Sequence, residues 1–179
     1  MKSKNLVLSA MFIALGIVLP FITGQIPEIG SMLLPLHIPV LICGFVCGPI
    51  YAMAVGVILP IMRSFMFGMP PLYPMATSMA IEMGMYGLVA GLLYIKLPKS
   101  NINIYISLIV SMLLGRVAWG AAMFVFLGMS GGAFTVEWFI SGAFLGAIPG
   151  IILQLVMIPP LVIVLNRTGV INGTKQHRF

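Results

Sequence analysis

The run Met32–Met62 reads MLLPLHIPVLICGFVCGPIYAMAVGVILPIM, 31 residues without a Lys, Arg, Asp or Glu. As a single helix it would be about 46 Å long, against a membrane hydrocarbon core of about 30 Å. It must break, and Gly48-Pro49 is the natural place. The break yields a short helix over about Pro35–Cys47 and a second over about Ile50–Phe67.

Working outward, a first helix is expected over about Leu6–Thr23, followed by an outer loop, Gly24–Leu34, that carries Glu28. Further helices are expected over about Met75–Tyr94, Ile102–Leu127 and Val136–Leu165. The chain is 61% hydrophobic and 7% charged, with a mean hydropathy of +1.18. Soluble domains carry about 25% charged residues, so the composition is that of a membrane protein. The fold class is all-α and polytopic, with six transmembrane helices, and residues 1–179 read as one integral-membrane domain. The first run follows Lys2 and Lys4 as a leader would, but Ala10 and Ala14 lie inside it, not at a cleavage site, so it is read as a spanning helix.

Charge placement supports the count. With six crossings, Lys2, Lys4, Lys96, Lys99, Arg167, Lys175 and Arg178 fall on one side, seven of the nine basic residues. The positive-inside rule makes that side, and both termini, cytoplasmic. Were Met32–Met62 a single span, Lys96 and Lys99 would lie outside. The same clustering at termini and one loop argues against nucleic acid as the reason for a net charge of +6.

The other two basic residues, Arg63 and Arg116, lie inside spans, as does Glu82. An intramembrane charge costs roughly 2.5–3.5 kcal/mol on insertion scales and generally faces a protein interior or cavity. Counted from the cytoplasmic helix ends, Arg63 and Glu82 stand about 21 Å up and Arg116 about 22 Å. Three charges on three helices thus share one level in the outer half. Tyr86 follows Glu82 by four and Trp119 follows Arg116 by three, so each shares a helix face with a charge. Tyr73 ends the proline-rich loop after Gly68. The functional reading is a pocket open to the outside. The structural alternative is an ion pair that fixes helix packing, but this uses one arginine and leaves the other as an anion site or hydrogen-bond fork. Arg116, beside Trp119, is expected to be the one that meets the ligand.

Other features read as packing. Cys43 and Cys47 have no His or Asp near them in sequence and are expected to be small buried hydrophobes, with no metal site. His37 is expected to be an interfacial residue with its hydrogen bonds met. The pairs Ala10/Ala14 and Gly87/Gly91, and the trio Gly142/Gly146/Gly150, allow close helix contact, and Ala10/Ala14 also suits a partner helix. The chain has no P-loop, no H-E-x-x-H, no G-x-S-x-G and no aspartate, which leaves no ATPase motif and no nucleophile-and-base set; no enzymatic activity is expected. The two halves show no convincing repeat of broken helices, which weakens a self-contained secondary transporter.

Four stretches together resemble the substrate-binding S components of energy-coupling factor (ECF) transporters. They are Ala10-x-x-x-Ala14, LPLHIPVLICGFVCGP (Leu34–Pro49), FGMPPLYP (Phe67–Pro74), and Glu82 followed by YGLVAGLLY (Tyr86–Tyr94). The resemblance covers essentially the whole chain. It implies a multi-pass protein of the bacterial cytoplasmic membrane that captures a vitamin at the outer face. It also implies a transmembrane coupling subunit and two ATPase subunits as partners, so that ATP is used by them and this chain needs no cofactor. The coupling subunit would meet Ala10 and Ala14, and the pocket would draw on Glu82, Tyr86, Arg116 and Trp119, with Arg63 leaning in. Two arginines against one glutamate favour a ligand with a carboxylate or electron-rich edge. Pantothenate is one such compound, with pyridoxine-like, pyrimidine and cobalamin-related ligands open. The alternative is a stand-alone carrier or channel for a small polar solute.

Overall fold

At Gly48 the backbone takes φ 92° and ψ 174°, a conformation open to glycine and strained for other residues, and Pro49 begins the next helix. The long apolar run is therefore divided where its length requires. The computed structural model describes residues 2–22, 32–98, 100–129, 135, 139, 145–169 and 171. They form helices α1 (Lys2–Ile22), α2 (His37–Cys47), α3 (Pro49–Phe67), α4 (Thr77–Lys96), α5 (Asn101–Met129) and α6 (Ile148–Arg167). No strand occurs among the described residues. All helices except α2 are long and apolar enough to cross a membrane, and the protein is an all-α, multi-pass membrane protein.

Helix α2 has 11 residues, about 16 Å, roughly half the hydrocarbon thickness. Every one of them is buried, because α2 packs against α1, α3, α4 and α6. It starts at His37, since Leu34 takes a positive φ of 51° and Pro35–Leu36 form a turn closed by the His37 N–H on the Leu34 carbonyl. The last helix differs most from expectation. It was predicted from Val136, but α6 begins at Ile148 after a tight turn at Leu145–Ala147, with Pro149 in its first turn. Pro149 is the physical reason, since its fixed φ and missing N–H suit the first turn of a helix. Residues 136–138 and 140–144, the outer loop with Glu28 and the segment 130–134 lie outside the described residues.

The helix ends sort to two ends of the bundle. Asn5 Nδ2 donates to the Cys47 carbonyl at 3.3 Å, Gly91 lies against Pro49, and Asn101 and Arg167 line one cleft. The first turns of α1, α3 and α5 thus meet the last turns of α2, α4 and α6, and Lys4, Lys96 and Arg167 share this basic end. At the far end the rings of Phe21 and Phe67 pack edge to face at 5.3 Å.

Glycines bring α3 and α4 into backbone contact. A Cβ on Gly87 would stand 2.5 Å from the Ala52 carbonyl oxygen, one on Gly91 would stand 2.6 Å from Pro49 N, and one on Gly56 would strike the Met83 carbonyl. Gly44 on α2 approaches Gly87 from the other side. The Gly87/Gly91 pair is therefore internal packing, as is Gly150, which lies against the backbone of Met32 and Leu33. Gly87→Ala is expected to destabilise the protein by on the order of 1–3 kcal/mol through overpacking. Gly128→Ala, where a Cβ meets open space, is expected to leave the thermal unfolding midpoint in detergent unchanged. Equal midpoints for the two variants would contradict the close α3–α4 contact.

Candidate functional site

Glu82 sits in the second turn of α4 with 1% of its surface exposed. Its Oε1 accepts from Arg116 Nη1 of α5 at 2.9 Å and from the Tyr86 hydroxyl, one turn along α4, also at 2.9 Å. His37 Nε2, at the first residue of α2, lies 3.7 Å from the same oxygen, and the His37 and Tyr86 rings are 5.3 Å apart. Three helices therefore converge on one carboxylate. Gly115 makes this possible: a Cβ there would overlap the Tyr86 ring, so the residue before Arg116 must be small for Tyr86 to lie flat against α5.

The layer leaves hydrogen-bonding capacity over. Arg116 Nε and Nη2 and both ring nitrogens of His37 are buried and have no hydrogen-bond partner among the described residues. Buried serines behave otherwise, as the hydroxyls of Ser78, Ser107 and Ser111 return to carbonyls of their own helix or its approach at 2.7–2.9 Å. An arginine fork with one prong on a carboxylate and two N–H groups free is an acceptor-binding group held in place by its ion pair.

Residues 4–163 match the family model of the ECF transporter substrate-specific component. The chain belongs to that family. No curated protein and no solved structure matches it. As an S component it is the substrate-capture subunit of an ECF transporter, and such a subunit works with coupling and ATPase subunits.

In this S component the residues expected at the site divide into three places. Glu82, Tyr86 and Arg116 are together. Arg63 is not with them: it is 4% exposed, its Nη1 donates to the Ile17 carbonyl of α1 at 2.9 Å, and its guanidinium lies 5.2 Å from the Phe67 ring centre. Ile17 lies three residues before Pro20, in the stretch of α1 whose ladder the proline interrupts. The arginine that pairs with Glu82 is therefore Arg116, the one expected to be left over for a ligand, while Arg63 braces α1 against α3. Trp119 and Tyr73 stand further towards the far end. Trp119 stacks on Phe139 at 6.3 Å, and the Tyr73 hydroxyl donates to the Phe126 carbonyl at 2.6 Å, tying the turn Leu72–Ala76 to α5. His37, expected at the membrane interface, is 1% exposed and inside the layer. Cys43 and Cys47 are free buried thiols, and no group of metal ligands occurs among the described residues.

Removing one member of a buried ion pair typically costs about 3–5 kcal/mol, whereas replacing both with apolar groups is often neutral or better. Glu82→Leu and Arg116→Met are each expected to lower stability by about that amount, and the double variant to recover most of it. A double-mutant cycle on unfolding free energy checks this. Additive losses would show that the two side chains are not a pair.

Proposed function

We propose that this S component captures a water-soluble vitamin or vitamin precursor, a pantothenate-like anion or another small polar vitamin. Capture takes place at the outer face of a bacterial cytoplasmic membrane, with residues 1–179 acting as one substrate-binding domain. The observation that carries this reading is the buried Arg116, anchored on Glu82 yet with two N–H groups to spare. Those donors suit a carboxylate or other electron-rich edge. Tyr86, on the same carboxylate, and Trp119, one turn beyond Arg116, give the ligand body aromatic surface. Tyr73 forms a rim above them, and Arg63 holds the α1–α3 wall. Positive charge at the end that carries Lys4, Lys96 and Arg167 supports a cytoplasmic position for that end and an outward-facing layer.

Delivery runs through the partner subunits. Ala10 and Ala14 are both exposed on α1, flanked by exposed Met11, Leu15 and Val18, and their small size lets a helix of the coupling subunit approach closely. Two ATPase subunits supply the energy, so no cofactor is assigned to this chain. Ala14→Leu is expected to reduce uptake at least tenfold in cells that carry the whole transporter, while the purified subunit retains its small molecule as the wild type does. Mass spectrometry of the retained molecule and radiolabel uptake read the two effects separately. Loss of the retained molecule in Ala14→Leu would show α1 to be part of the binding wall, and unchanged uptake would remove α1 from docking.

A further inference from the structure

Two indentations adjoin on α6 and together run from the basic end of the bundle into the membrane. The first is a polar cleft lined by Asn101 at the start of α5 and by Ile163, Asn166 and Arg167 at the end of α6. The second is an apolar groove lined by Val156, Met157, Pro160, Leu161 and Val164. Val156, Pro160, Val164 and Arg167 follow one another at spacings of four, four and three, so they form one stripe of the helix, and all four are exposed. The short ring of Pro160 makes the floor of the groove between the two valines, and Arg167 stands just beyond its end. Arg167 lies 11 residues after Val156, about 16 Å along the axis, and half of a hydrocarbon core of about 30 Å is about 15 Å. The groove therefore has the depth of one acyl-chain layer, and the cleft lies at the level of the headgroups.

We propose that cleft and groove bind one anionic glycerophospholipid of the leaflet at the basic end. Its phosphodiester meets Arg167, its headgroup meets the carboxamides of Asn101 and Asn166, and one acyl chain fills the groove. Charge decides the headgroup. Arg167 has no ion-pair partner among the described residues. The chain's three acidic residues, Glu28, Glu82 and Glu137, all fall outside 94–104 and 156–169, the segments that build this end of α5 and α6. A guanidinium at headgroup depth takes a phosphate by two parallel N–H bonds, and basic pockets between helices on this side of a membrane hold anionic headgroups. An ethanolamine headgroup would bring its ammonium beside Arg167 with no carboxylate to receive it. A glycerol headgroup instead offers hydroxyls, which donate and accept as the two carboxamides do. A soluble anion would meet Arg167 but leave the groove unused. Seated there, the lipid bridges the start of α5 and the end of α6.

The test uses the purified full-length protein in detergent, stripped of lipid and then given phosphatidylglycerol, phosphatidylethanolamine or glycerol 3-phosphate at equal concentrations. Native mass spectrometry reads the bound fraction, and a melting curve reads stability. One phosphatidylglycerol is expected to bind per chain, at least fivefold more than phosphatidylethanolamine, and to raise the melting temperature; glycerol 3-phosphate is expected to do neither. Arg167→Gln and Lys96→Gln remove the same charge from the same end, but only Arg167 lines the cleft. Because Arg167 is exposed at a helix end, its replacement is expected to leave the lipid-free melting temperature unchanged while lowering phosphatidylglycerol binding at least fivefold. Lys96→Gln is expected to keep binding within twofold of the wild type. Equal binding of the two lipids overturns the proposal, and so does binding of glycerol 3-phosphate as strong as that of phosphatidylglycerol. Equal losses in the two variants would show a diffuse attraction to the basic end, not a site, and full binding by Arg167→Gln would remove the cleft from lipid recognition; either result overturns it.

Discussion

A carboxylate and a guanidinium 2.9 Å apart, both almost without exposed surface, impose the strictest condition on this bundle. Each ion would cost several kcal/mol to bury alone, and the pair compensates for this only if its geometry is held. The neighbouring sequence supplies that geometry. Gly115 admits the Tyr86 ring against α5, Tyr86 gives its hydroxyl to Glu82, and Gly87 and Gly91 allow α4 to lie directly on α3 and α2. The short α2, ending at Gly48, begins with His37 beside the carboxylate. A pair meant only to hold helices together would gain from saturating its hydrogen bonds. Here Nε and Nη2 of Arg116 have no hydrogen-bond partner among the described residues, and on that observation rests the proposal that the layer receives a ligand.

Arg63 shows the contrast. Its charge is equally buried, but it is spent on a backbone carbonyl beside Pro20 and on the face of Phe67, so it binds α1 to α3 at the far end. The two arginines thus mark two places, a wall where α1 meets α3 and the buried layer where α2, α4 and α5 meet, which is the proposed seat of the substrate. The exposed face of α1 with Ala10 and Ala14 lies on the outer side of that wall.

Much of this was legible in the chain. The length limit of the membrane required the break at Gly48–Pro49, and basic residues grouped the helix ends. Counting residues from those ends placed Glu82 and Arg116 at one height, and they touch. Height says nothing about direction around a helix, however, which is why Arg63, at the same height, was assigned to the same site and in fact faces α1. Length alone does not place the start of the last helix, since α5 runs 29 residues unbroken; Pro149 in the first turn of α6 was the local signal. His37 was read by its position near a helix end, but α2 is too short for its end to reach the surface.

The most direct measurement is a structure of the purified protein with its retained small molecule bound, determined by cryo-electron microscopy with a rigid binding partner for size. The account expects ligand density between α2, α4 and α5, with an acceptor atom within about 3.2 Å of Arg116 Nε or Nη2. Ligand density confined to the rim near Tyr73, with the Glu82–Arg116 layer closed and untouched beneath it, would contradict the account and make the charged layer part of the scaffold.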